Sequence, residues 1–187
     1  MKKTIAFLLL LMPISLFAHG GHGSGFMAGF THPIFGIDHN VALIGTGILG
    51  YLLDQKRWYF YPLAFIGLMV VGGFLGIGKE ATTLIEKIIA ASVVVIGLII
   101  GLRLNFGKAI IALLLAAFGF THGFAHGAEM PADTTAFQYI SGFAVGAILL
   151  GAIGWLLSLL ATNQNNSERL HTLLGGILMG AGIILLI

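Results

Sequence analysis

Six apolar stretches of about twenty residues constrain the fold of this chain more than any other feature. They lie at about 33–53, 58–77, 83–102, 108–126, 136–161 and 170–187, and each is near the length that an α-helix needs to cross a bilayer. The polar segments between them are short, which leaves no room for a second domain. We therefore predict an all-α membrane protein, a compact bundle of six transmembrane helices.

The composition agrees with this interpretation and excludes several classes of function. Only 9% of the 187 residues are charged and the mean hydropathy is +1.02, whereas soluble domains carry about 25% charged residues. A dispersed net charge of +2 argues against a nucleic-acid partner. The chain has no cysteine, so any bound metal must be held by nitrogen and oxygen ligands.

The first eighteen residues, MKKTIAFLLLLMPISLFA, have the layout of a secretory signal peptide, with two lysines, an apolar core and a small residue at Ala18. An uncleaved anchor is the alternative, because Leu16 is not the small residue that the cleavage site prefers. We expect the leader over 1–18 to precede a six-helix domain over 19–187. Cleavage after Ala18 leaves a free amino group beside His19, with His22 nearby, which favours metal capture; a glycine-rich tail without a metal role is the alternative.

The basic residues predict the orientation of the bundle. A mature N-terminus outside the cytoplasm puts five basic residues at cytoplasmic helix ends and two at outer ends, as the positive-inside rule prefers. The five are Lys56, Arg57, Arg103, Lys108 and Arg169, and the two are Lys79 and Lys87. In this topology the first and fourth predicted helices both have their histidines in the outer half of the membrane.

The first histidine segment, GFTHPIFGIDH, begins the first predicted helix. Pro33 suits the first helical turn, which puts His32 near the cap. The spacing then places His32, Gly36 and His39 on one face, with Gly36 leaving a gap between the imidazoles. Asp38 lies about 100° round the helix from His39, so it either shares an ion with His39 or orients another ligand's imidazole.

The second segment, GFTHGFAHGAE, ends the fourth predicted helix and puts three potential ligands on one face. His122 and His126 are one turn apart, Glu129 follows at i+3, and Pro131 ends the segment. Together the two segments offer four imidazoles and two carboxylates, a set suited to Ni²⁺, Co²⁺, Zn²⁺ or Cu²⁺. Interhelical hydrogen bonding is the alternative role for a single membrane histidine.

Other polar and small residues carry weaker signals. Glu80 and Glu86 near the outer end of the third predicted helix either extend an acidic entrance or belong to a solvated loop. His171 is assigned to a loop. Glycines four residues apart predict close helix contacts, at the pairs Gly72 and Gly76, Gly97 and Gly101, Gly142 and Gly146, and Gly176 and Gly180.

The two histidine segments resemble the signatures of the HupE/UreJ family of nickel and cobalt permeases. HPIFGIDH is similar to HPxxGxDH, and FGFTHGFAHGAEMP is similar to FxxxHGxAHGxExP. The chain also resembles this family in the order of its motifs, its leader, its histidine-bearing N-terminus and its six spans. Carried over residue by residue, the signatures cover His32, Pro33, Gly36, Asp38 and His39, and then His122, Gly123, His126, Gly127, Glu129 and Pro131.

The resemblance implies uptake of Ni²⁺ or Co²⁺ across a bacterial inner membrane for enzymes such as hydrogenase or urease, with the mature N-terminus on the periplasmic side. The implied partners are the divalent metal ion and membrane lipid, with no prosthetic group and no enzymatic activity. One position departs from the family pattern: DHxxxM reads DHNVAL here, so Leu43 replaces a thioether one turn below His39. This replacement bears on the choice of ion.

Two functions from other classes remain as alternatives. A membrane haem protein uses histidines on facing helices as axial ligands, but it does not require acids on the same faces. An intramembrane zinc metallohydrolase needs two histidines and an acid around an open site, and no HExxH spacing occurs in this chain. No glycine-rich nucleotide-binding loop is present either.

Overall fold

A computed structural model of the chain describes residues 25–187. That part contains seven α-helices and no β-strand. In chain order they are α1 (Phe26–Phe35), α2 (Ile37–Leu53), α3 (Phe60–Gly76), α4 (Thr83–Gly101), α5 (Lys108–Ala128), α6 (Ala136–Thr162) and α7 (Ser167–Leu186). The predicted leader, His19 and His22 lie outside the described residues.

The helices have the composition of a membrane bundle. Four of them, α4 to α7, are long and apolar enough to cross a membrane, and α2 and α3 are apolar helices of 17 residues each. Large apolar side chains point outward; Leu113 is 71% exposed and Ile184 is 76% exposed. An apolar exterior of this kind suits lipid, because hydrocarbon does not penalise exposed apolar surface.

The prediction of one continuous helix over 33–53 is wrong. The chain forms α1 and α2, separated at Gly36, whose ψ of 111° is extended. Pro33 therefore lies inside α1 and not in the first turn of a span, and His32 lies in the last turn of α1 and not near an N-terminal cap. Helix formation starts earlier than predicted because the apolar residues from Phe26 onward pack on α6.

The last helix also starts earlier than predicted. It begins at Ser167 and not at 170, so the assignment of His171 to a loop is wrong. His171 is a buried helical residue that is 2% exposed. Its Nδ1 donates to the Ser167 carbonyl at 2.8 Å, and its Nε2 accepts from the Ser158 hydroxyl at 3.0 Å.

Many glycines lie where two helices come into close contact. On α5, Gly119, Gly123 and Gly127 face the backbone carbonyls of α3, at Phe65, Met69 and Gly73 respectively. A methyl group at any of the three glycines would overlap the facing oxygen. Each contact advances four residues in both helices, so α3 and α5 run in the same direction with their backbones touching.

The predicted glycine contacts are confirmed for most pairs but not for all. A methyl group at Gly72, Gly76, Gly97 or Gly142 would overlap the backbone of a neighbouring helix, and one at Gly146 would come within 2.7 Å of the Phe30 oxygen. Gly101 is looser, with the nearest atom of Gly175 at 3.5 Å. The prediction for Gly176 and Gly180 is wrong, since a methyl group there meets no described atom within 4 Å; Gly175 and Gly182 make the contacts of α7 instead.

Gly72→Ala should destabilise the protein by about 1–3 kcal/mol, because the new methyl group overlaps the Phe120 carbonyl and must push α3 away from α5. Gly176→Ala should leave stability unchanged or raise it by up to about 1 kcal/mol, because its methyl group enters open space and alanine reduces the conformational freedom of the unfolded chain. Thermal unfolding in detergent, followed by fluorescence of the stacked Trp58 and Trp155, measures both. Equal melting temperatures for the two variants would contradict the glycine-packing assignment.

Candidate metal site

The break at Gly36 positions the first two histidines. His32 lies in the last turn of α1 and His39 in the first turn of α2, and their ring centroids lie 5.7 Å apart. A methyl group at Gly36 would come within 2.7 Å of His39 Cδ2, so only glycine leaves room for this ring. Asn40 supports the break, because its side-chain amide donates to the Ile34 carbonyl at 3.0 Å.

The glycine face of α5 positions the other two histidines. Gly119, Gly123 and Gly127 face α3, and residues 122 and 126 lie on the adjacent side of α5, about 80° round the helix on average. His122 and His126 are 1% and 2% exposed. Their ring centroids lie 5.4 Å and 4.0 Å from that of His39, so they face the start of α2.

Three imidazoles converge on one point among the described residues. His32, His39 and His126 each offer a ring nitrogen, and these three atoms lie within 4.8 Å of one another. His32 and His126 have ring centroids 4.6 Å apart. Such an arrangement can bind one divalent ion through three nitrogens, and it leaves further coordination positions for oxygen ligands.

The predicted carboxylates lie beside this triad. Asp38 Oδ2 is 3.2 Å from His39 Nε2. Glu129 Oε2 lies 3.5 Å from His32 Nε2 and 3.9 Å from His126 Nδ1. Asp38 therefore suits the orientation of His39, and Glu129 is placed between two rings of the triad, where a carboxylate can complete the coordination of an ion.

Several ring nitrogens of the cluster are buried without hydrogen bonds. They are His39 Nδ1, His122 Nε2 and both nitrogens of His126. His122 Nδ1 lies 2.8 Å from the Phe118 carbonyl, which only accepts, so Nδ1 carries the proton and Nε2 keeps a free lone pair. A buried polar atom without a partner costs about 1–3 kcal/mol, and an ion at the triad could give a partner to one nitrogen of His39 and one of His126.

The cluster opens into a cavity of about 240 Å³, here called the histidine-end cavity. It is lined by Asp38, His39, Glu86, Ile89, Ala90, Ala125, Glu129 and Leu185. Of the two acids considered for an entrance, Glu86 lines this cavity and Glu80 does not. Burial raises the pKa of the Glu129 carboxyl, and the charges of Asp38 and Glu86 raise it further. A cation in the cavity would relieve this accumulation of negative charge.

Sequence reasoning missed two aromatic residues of α6 that form a wall of the site. The Phe143 ring centroid lies 4.0 Å from that of His126, and the Tyr139 centroid lies 6.1 Å from that of His32. Both side chains are buried. The glycine pair Gly142 and Gly146 predicts a helix contact at this part of α6, but the sequence does not show that the contact is with α1.

These features define a class: a helical membrane protein with an imidazole and carboxylate cluster at one end of its bundle. Comparison with known proteins agrees. The family model described as HupE / UreJ protein matches residues 7–185. The chain is also 30% identical to Protein HupE of Rhizobium leguminosarum bv. viciae over 187 residues, covering 100% of this chain and 97% of that protein. The chain belongs to the HupE/UreJ family. No solved structure matches it.

Removal of a triad ligand should weaken Ni²⁺ binding by the purified protein more than removal of Asp38. We expect His126→Ala to abolish measurable binding at the triad, and Asp38→Asn to weaken it about 10–100-fold, as loss of a ligand-orienting carboxylate does. Isothermal titration of the protein in detergent measures both, with Glu80→Gln as the control. Unchanged affinity in His126→Ala would exclude the triad as the binding site.

Proposed function

We propose that the protein is a permease that carries Ni²⁺ or Co²⁺ across the bacterial inner membrane and supplies metalloenzymes such as hydrogenase or urease. The observation that carries this proposal is the convergence of His32, His39 and His126 within 4.8 Å at one end of the bundle. Membership of the HupE/UreJ family supports it. The metal ion is the substrate, and we assign the protein no enzymatic activity and no prosthetic group.

The orientation of the bundle follows from its charges. The described ion pairs between acids and Lys or Arg, Arg103 with Glu168 and Lys108 with Asp54, lie at the opposite end of the bundle from the triad. We assign that end, here called the basic end, to the cytoplasm. We propose that the histidine end of a six-span bundle faces the periplasm, and that His19 and His22 of the mature N-terminus capture metal on that side.

The chemistry of uptake begins with loss of water from the ion. The carboxylates of Asp38, Glu86 and Glu129 attract the hydrated cation into the histidine-end cavity, and the triad replaces part of its water shell with imidazole nitrogen. Coordination by three nitrogens from three helices and by the carboxylate of Glu129 at the end of α5 is incomplete and breakable, as passage of an ion requires. His122, one turn deeper on α5 with a free Nε2 lone pair, is the next ligand inward.

The geometry does not favour the alternatives considered from the sequence. The rings of His39 and His126 contact each other at 4.0 Å between centroids, which leaves no space for a haem plane between them. A metallohydrolase needs a cleft that admits its substrate, and the cavity beside the triad holds about 240 Å³. That volume suits a hydrated ion and not a peptide or lipid substrate.

Uptake of radioactive nickel by cells that express the protein tests the proposal directly. Wild-type cells should accumulate nickel, and His39→Ala and His126→Ala cells should lose at least about 90% of that uptake at equal membrane abundance, since each lacks a triad ligand. Glu80→Gln, an acid outside the cavity, serves as the matched control. Accumulation by both histidine variants at the wild-type rate would refute the proposed route.

Uptake should also fall as the external medium is acidified. Imidazole binds metal only when it is neutral, and a carboxylate binds metal only when it is ionised. The raised pKa of Glu129 means that its carboxylate is neutralised at a higher pH than that of a free glutamate. Initial uptake rates measured between about pH 7.5 and about pH 5.5 should therefore decline as the Glu129 carboxylate is neutralised. A flat profile would argue against a role for this carboxylate in binding the ion.

A further inference from the structure

A second cavity lies at the basic end of the bundle. It has a volume of about 590 Å³, and we call it the basic-end cavity. Its walls include Leu53 of α2, Arg103 after α4, Lys108 of α5 and His171 of α7. The histidine-end cavity is lined by residues of the same four helices, α2, α4, α5 and α7, or of their ends. The two cavities are therefore opposite ends of one interface between four helices.

A plug of buried aliphatic side chains separates the two cavities. Leu43 of α2, Ile96 of α4, Leu115 of α5 and Leu178 of α7 belong to one core cluster and are at most 6% exposed. Gly45 lies within this plug, because a Cβ atom there would be 2.6 Å from Ile96 Cγ2 and 3.5 Å from Leu178 Cδ1. From His39 to Leu49, which line the two cavities, α2 advances by about 15 Å.

The two cavities differ in the charge they present to a cation. Three carboxylates and no lysine or arginine line the histidine-end cavity. At the basic-end cavity, Glu168 is already paired with Arg103 at 2.9 Å, and Lys108 is paired with Asp54 at 2.9 Å, so both carboxylates are already neutralised by a basic side chain. The His171 lone pair accepts a hydrogen bond from Ser158, so this imidazole is not free for an ion. A divalent cation is therefore held strongly at one end and weakly at the other.

From this arrangement we infer that the basic-end cavity is the release compartment for the transported divalent cation. The cation reaches it when the plug of Leu43, Ile96, Leu115 and Leu178 parts between the four helices. This inference rests on the proposed function, because it takes the ion bound at the triad as the cargo. It adds the second half of the route and assigns the barrier to particular side chains.

A reversible crosslink across the plug tests the barrier. The Cβ position at Gly45 lies 3.8 Å from Ile96 Cβ, which is the mean separation in a disulfide, and the chain has no cysteine of its own. The double variant Gly45→Cys/Ile96→Cys, oxidised with diamide in membrane vesicles, should lose at least about 90% of its nickel transport. Transport should return after dithiothreitol is added and washed out. Each single variant, treated identically, should be unaffected by oxidation.

The crosslinked protein should still bind Ni²⁺ at the triad, because the disulfide lies below the histidines. This result separates a blocked route from a misfolded protein. Transport by the fully crosslinked protein at the rate of its reduced form would overturn the inference. Failure of the wild-type protein to transport nickel would instead refute the proposed function.

Single-cysteine labelling tests the release compartment independently. Leu53→Cys places a thiol in the basic-end cavity, and Asn165→Cys places one on the exposed loop between α6 and α7 at the same end. In inside-out vesicles, a membrane-impermeant trimethylammonium methanethiosulfonate should label both thiols. Labelling should reduce transport at least about tenfold in Leu53→Cys and leave it unchanged in Asn165→Cys. The extent of labelling is read from the mass of the protein. No labelling of Leu53→Cys, or full labelling with less than twofold loss, would overturn the inference.

Discussion

Backbone contact between α3 and α5 is the interaction on which the rest of the site depends. Gly119, Gly123 and Gly127 let the two helices touch along one side of α5. Helices in lipid gain no hydrophobic free energy by associating, so van der Waals packing of this kind stabilises the contact between α3 and α5. Because α5 cannot rotate away from α3, His122 and His126 must face the start of α2.

The other half of the cluster depends on a break in the helix. Gly36 ends α1 and lets His32 and His39, which lie in different helices, turn toward the same point. In lipid an interrupted backbone must find its hydrogen bonds within the protein, and Asn40 supplies one to the Ile34 carbonyl. The polar Asn40 therefore belongs to the architecture of the site although it does not touch the triad.

The two ends of the bundle differ in the polar and charged groups that could bind a cation. His39, His122 and His126 each have a buried ring nitrogen with no hydrogen-bond partner among the described residues, which favours binding of an ion at this end. Three carboxylates line the cavity at this end, whereas paired acidic and basic groups lie at the cavity at the other end. The same four helices border both cavities, and under our proposal a change in their packing connects the two.

Much of this architecture is predictable from the sequence, because hydropathy and helical spacing are local properties. The predicted spans at 83–102, 108–126 and 136–161 correspond to α4, α5 and α6 within about two residues. The common face of His122 and His126 follows from the same 3.6-residue period. The family resemblance found in the two histidine segments is confirmed by the comparisons.

Features that depend on contact between distant helices were not predictable in the same way. The prediction of Pro33 in a first turn rests on the general preference of proline for that position. Nothing local shows that the residues before it pack on α6. The roles of Tyr139 and Phe143, the burial of His171 and the open surroundings of Gly176 and Gly180 depend on which helices are neighbours. The sequence periodicity of one helix does not contain that information.

X-ray absorption at the nickel K-edge tests the convergence of the three imidazoles most directly. The protein should be loaded with one equivalent of Ni²⁺ in detergent, with His19 and His22 replaced by alanine so that the N-terminus cannot contribute. If His32, His39 and His126 bind the ion, the spectrum should show the multiple scattering of about three imidazole rings together with oxygen neighbours, and His126→Ala should lose one ring. A spectrum with oxygen ligands alone would contradict the triad as the site of metal binding.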